Sequence, residues 1–95
     1  MGELHDQVKG RVEHIHRMYD ELCAEVEDYR DWVKELVEAE KAKAEPDPKY
    51  VSAVGVQLRF SDRFLTVLEE EAFDELIHFA DRVIRIKHYE DGVFI

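Results

Sequence analysis

The strongest constraint on this chain is an uninterrupted apolar register in its first half. Val8, Val12, Ile15, Tyr19, Leu22, Val26, Tyr29, Val33 and Leu36 are spaced alternately by four and three once the opening step is passed. That spacing places every one of them on a single stripe of an α-helix. In a heptad register Val12, Tyr19, Val26 and Val33 occupy a, and Val8, Ile15, Leu22, Tyr29 and Leu36 occupy d, with no charge in the seam. The residues from Glu3 to about Ala44 contain no proline and one glycine, Gly10, which costs about 1 kcal/mol of helix propensity relative to alanine. One long amphipathic, coiled-coil-forming helix is therefore predicted, and another helix must cover its stripe.

The stripe is wider than a two-stranded seam needs. Met18 and Trp32 at g and Val37 at e add apolar bulk where a simple coiled coil carries charge. These three residues are candidate contacts with the C-terminal half or with a partner protein. The bulky tyrosines at a and d favour an antiparallel pair or a bundle over a tightly packed parallel dimer.

Pro46 and Pro48, the only prolines, divide the chain into an oligomerising helix (1–45), a linker (46–50) and a C-terminal unit (51–95). Here the period changes. Val54, Val56, Leu58 and Phe60 alternate with Gly55, Gln57 and Arg59, which predicts a half-buried strand, and Phe64–Leu68 reads as its return. Glu69–Glu71 followed by Ala72, Phe73, Leu76, Ile77 and Ala80 predicts a short helix. Val83–Tyr89 alternates again, and Asp91-Gly92 carries the signature of a two-residue hairpin turn that would pair Tyr89 with Phe94 and His88 with Ile95. The expected fold class is α+β, a long helix followed by a small ββαβ(β) unit. The alternative is an all-α helical hairpin, because Phe64, Leu68, Ala72, Leu76, Ala80 and Val83 also thread along one helical face.

Size points to self-association. A helix of ~40 residues is ~60 Å long, and a globule of ~45 residues spans well under half of that. A second copy is the simplest cover for the remainder, giving a homodimer or small homo-oligomer. The net charge of −10, shared between both halves, argues against direct contact with nucleic acid or an anionic membrane and favours a basic protein partner. Cys23, the single cysteine, excludes an internal disulfide and reads as a small buried hydrophobe. No apolar run reaches the ~18 residues of a membrane span and the first residues lack a signal-peptide pattern, so a cytoplasmic protein is expected.

Little of the sequence speaks for chemistry. His14 and His16 point about 200° apart on a helix and cannot share one ion within a chain. Asp20, Glu21, Glu25, Glu27, Asp28 and Asp31 form an acidic stretch off the seam, a candidate docking face for a basic partner, but the Glu-x-x-His partner of a carboxylate metal site is missing. Ser52, Ser61 and Thr66 sit in no nucleophile or phosphate-loop motif, and the four glycines are isolated. Arg59, Arg82, Arg85 and Lys87 would form the polar face of the expected sheet. Neither catalysis nor a metal or cofactor is expected. The functional expectation is a non-catalytic protein–protein interaction module that homo-oligomerises through its N-terminal helix. The alternative is a small acidic inhibitor of the phage type, mimicking nucleic acid to block the basic groove of a nucleic-acid-binding target.

Overall fold

Two arms, each close to half the chain, run antiparallel along each other in the computed structural model, which describes residues 2–92. The first arm is α1 (Glu3–Lys41). The second consists of α2 (Pro48–Val67), a π-helical turn (Leu68–Ala72), α3 (Phe73–Asp81) and α4 (Val83–Glu90), all three helices packing on α1. The result is a rod with Cα extents of 72 × 18 × 13 Å and a radius of gyration of 21.1 Å, against ~12 Å for a compact domain of this length.

The α+β expectation is overturned: among the described residues there is no strand, and residues 51–90 are helical almost throughout. The all-α hairpin is the observed fold. Val54, Val56, Leu58 and Phe60 do alternate, but Val51, Val54, Leu58, Ser61, Leu65 and Leu68 also recur at three and four, and these are the positions turned inward. β-Branched residues lower helix propensity by only a few tenths of a kcal/mol each. Burying a leucine contributes about 1.5–3 kcal/mol, so the long preformed surface of α1 decides the period.

The expected hairpin at Asp91-Gly92 is also absent. A type I′ turn needs positive φ at both central residues, whereas Asp91 has φ −77° and caps the end of α4. Gly92 does adopt a left-handed φ of 77°, as glycines commonly do just beyond a helix C-terminus. The pairings with Phe94 and Ile95 fall outside the described residues.

The π turn keeps the second arm in register. From Leu68 the inward positions run Leu68, Ala72, Leu76 and Ala80, three successive steps of four. On a straight α-helix each such step drifts by about 40° around the axis. One wider turn absorbs most of that drift. It also disturbs the backbone hydrogen bonding there, and the Tyr19 hydroxyl donates to the Leu68 carbonyl.

Both ends of the hairpin are fastened by carboxylates. Gly2, the N-cap of α1, has no side chain to cap with. Glu90, from the far end of the chain, accepts the Leu4 and His5 backbone N–H groups at 3.0 and 2.7 Å. At the connection Asp47 caps α2 by accepting from the Lys49 N–H at 3.0 Å, with Pro48 in the first turn. The Glu40 carboxylate accepts the Asp47 N–H at 3.2 Å and pairs with Lys43 Nζ at 2.6 Å.

Candidate interaction surface

The hairpin divides the apolar stripe of α1 lengthwise. The residues it covers lie at a and e: Val12 and Val33 are buried, as is Val37, while Tyr19, Cys23 and Val26 are half-buried. Val33 is the most enclosed, at 2% exposure. Of the d residues, Val8 and Leu36 are half-buried, but Ile15, Leu22 and Tyr29 remain exposed, as do Met18 and Trp32 at g. Trp32 is 54% exposed and stacks obliquely on Tyr29, ring centroids 6.0 Å apart. The predicted seam therefore has two fates. Its a edge closes the hairpin with the chain's own second arm, and its d edge is left open over the Ile15–Tyr29 stretch.

The second arm extends the open side. Tyr29 Oη donates to Gln57 Oε1 at 3.0 Å, which places Gln57 on the d side of α1. Phe60 and Phe64, three and seven residues further along the same helix, share that flank and are exposed. Further along, Ile15 and Phe79 line an open groove of about 440 Å³ beside the π turn, floored by Tyr19, Ala72 and Leu76. One broad side of the rod thus carries Ile15, Met18, Leu22, Tyr29 and Trp32 from α1 and Phe60, Phe64 and Phe79 from the second arm. The opposite broad side carries ion pairs along α1, Arg30 at e reaching Asp62 at 3.7 Å and His16 facing Asp20 at 3.9 Å, and toward the end of the second arm Ile84 stands there, 48% exposed, beside Lys9 and Glu13.

The six carboxylates Asp20, Glu21, Glu25, Glu27, Asp28 and Asp31 are all exposed on α1. Glu25 alone falls at g, within the open apolar stripe between Met18 and Trp32. Among the described residues, no group of three or more His, Cys, Asp or Glu side chains is arranged to hold a metal ion. The expected sheet that would carry Arg59, Arg82, Arg85 and Lys87 on its polar face is absent among the described residues: Arg59 lies in α2, Arg85 and Lys87 in α4, and Arg82 between α3 and α4. No helix is long and apolar enough to cross a membrane among the described residues.

Tyr19 is the most constrained polar side chain. Its ring lies 6.2 Å from Phe73 and 6.4 Å from His16. Burial pushes its phenol up to about 12, with Cys23 and the carboxylates of Glu69 and Asp20 adding to the shift. A phenol held neutral is the form that donates to the Leu68 carbonyl. Tyr19 is thus a structural strut; Glu75, His78 and Arg82 also line the groove beside it.

A period of two over residues 54–68 hides Phe60 and Phe64 as part of this surface. Their signal was present nonetheless: Phe60, Phe64 and Val67 stand at i, i+4 and i+7, and the hydrophobic set at three-four spacing in the same segment leaves them off its inward face. Compared with protein-family models, curated proteins and solved structures, the chain matches none.

Proposed function

We propose that the protein is a non-catalytic protein–protein interaction module that homo-oligomerises through its N-terminal helix. One observation carries this reading: between Ile15 and Trp32 the hairpin covers the a/e edge of α1 and leaves the d/g edge, with Trp32 54% exposed, as an apolar surface. A soluble monomer exposes isolated hydrophobic residues as a matter of course, whereas a contiguous apolar stripe flanked by charge marks a contact surface. The aromatic content of the stripe fits as well, since tryptophan and tyrosine dominate the energetics of protein interfaces. The free thiol of Cys23, half-buried in α1, is compatible with the cytoplasm as the site of action.

Leu22→Glu tests the reading selectively. Leu22 lies on the open edge, so the hairpin should keep its helicity by circular dichroism while light scattering shows association lost. The same change at Val26, which is half-buried inside the hairpin, should instead unfold it. An unmodified chain that stays a single copy at all accessible concentrations would contradict the proposal.

A further inference from the structure

We propose that a second copy of this chain covers the open apolar face, the two hairpins packing broad side to broad side into a four-helix bundle in which α1 of each lies against α2 of the other. This rests on the self-association proposed above and adds the face and the arrangement.

Area supports a second copy as the occupant. The hairpin exposes 7590 Å², whereas a folded monomer of 11.2 kDa exposes ~5,700 Å² by the usual scaling with mass. The excess is ~1,900 Å² per chain. Two chains that each buried this much would remove ~3,800 Å² together, inside the range of permanent homodimers. Ile15, Leu22, Tyr29 and Trp32 along one helix and Phe60 and Phe64 along the other form the apolar centre of such a contact.

Charge and register select the arrangement. If α1 lay against α1, the flank carrying Glu21, Glu25 and Asp28 would meet its own copy, and like charges would face each other. If α1 lies against the partner's α2, the neighbouring helices are all antiparallel, and a two-fold axis parallel to the rod keeps every residue at its own level. Levels can be read from the hairpin itself. Tyr29 is bonded to Gln57 and Arg30 is paired with Asp62, so Glu25, one turn earlier on α1, lies level with Arg63. Within one chain the two residues point to opposite edges of the rod. In the bundle, Arg63 of the partner subunit comes to the edge that carries Glu25. Arg63 stands beside Phe60, Phe64 and Val67, so apolar contact and ion pair occur at the same level. Glu25, the one charge in the open stripe, thereby gains a partner.

The test uses full-length chains in which Cys23→Ala removes the native thiol. One chain carries Glu25→Cys and the other Arg63→Cys; they are unfolded, mixed, refolded and treated with a short bismaleimide cross-linker. The expected product is the mixed pair, well above the share that random pairing gives, in a species of twice the monomer mass. Predominant linkage of Glu25→Cys chains to each other would show α1 against α1 and overturn the arrangement while leaving self-association standing. A doubled mass with no cross-link of either kind would place the contact on another face and overturn the proposal. A species of single-chain mass before cross-linking would overturn both it and the self-association on which it rests. Circular dichroism of each variant, expected to match the parent because both positions are exposed, guards against misfolding. Should either variant misfold, Phe64→Ser in the unmodified background provides a second probe: loss of the doubled mass with helicity kept is expected, and an unchanged mass overturns the proposal.

Discussion

Replacing Glu90 by alanine should loosen the opposite end of the chain. In the hairpin its carboxylate accepts the N–H groups of Leu4 and His5, which the N-cap Gly2 cannot serve. Intramolecular hydrogen bonds contribute about 0.5–1.5 kcal/mol net, and loss of an N-cap acceptor costs about 0.5–2 kcal/mol. One of the two bonds is solvent-exposed and the other only partly buried, which argues for the lower part of their summed range. The expected cost is about 1–2 kcal/mol, a fall of about 4–8 °C in Tm per kcal/mol for a chain of this size. Thermal denaturation must compare variants at one protein concentration, because association makes Tm concentration-dependent. Hydrogen exchange localises the effect: the Leu4 and His5 amides should exchange about tenfold faster per 1.4 kcal/mol of lost local stability, with little change near Val33. Glu90→Gln, which keeps an acceptor oxygen without its charge, should fall between. An unchanged Tm together with unchanged exchange at Leu4 and His5 would refute the idea that the last turn of α4 caps the first turn of α1.

Other perturbations separate the inside of the hairpin from its open face. Leu65 is 4% exposed, so Leu65→Ala should cost about 2–5 kcal/mol in denaturant unfolding, whereas Trp32→Ala should leave the helical content of the hairpin intact and act on association. Tyr19→Phe removes the hydroxyl that serves the Leu68 carbonyl and should destabilise by about 1 kcal/mol; the ionisation near 12 that Tyr19 gives the wild-type protein in ultraviolet pH titration should be missing from the variant. The Lys43 hydrogen bond lowers the Glu40 carboxyl below its usual value, and the same bond raises Lys43 above its own. The Glu40 contribution is therefore present above the unfolded carboxyl value and lost as pH falls through the depressed folded one. That of Lys43 is present below the unfolded amine value and lost as pH rises through the raised folded one. Glu40→Gln should flatten the acid limb of the stability profile measured by chemical denaturation.

The first arm was legible because nothing competes with it. Val12 to Leu36 fit one period, the segment lacks proline, and Pro46 and Pro48 forbid its continuation. The second arm was harder because Val54, Val56, Leu58 and Phe60 satisfy two periods at once. A local pattern cannot choose between them when the deciding term, burial of Leu58, Leu65 and Leu68 against a neighbouring helix, is non-local. The π turn was hidden for a similar reason. Only the outcome, with Leu68, Ala72, Leu76 and Ala80 all turned inward, shows that three steps of four must be accommodated. At the surface, Trp32 and Met18 stood out by their g positions, since bulk there exceeds what one neighbouring helix covers. Val37, singled out on the same ground, belongs to the edge that the second arm encloses. The distinction depends on which side the second arm approaches, and no residue of α1 states that by itself.

Sedimentation equilibrium of the unmodified chain at low and high salt tests the central claim most directly. Two copies bring together a formal charge of −10 each, and salt screens that repulsion while leaving apolar burial in place. The account predicts a species of twice 11.2 kDa whose association tightens as salt rises. A mass of 11.2 kDa under both conditions, or association that weakens with salt as a contact between opposite charges does, would contradict it.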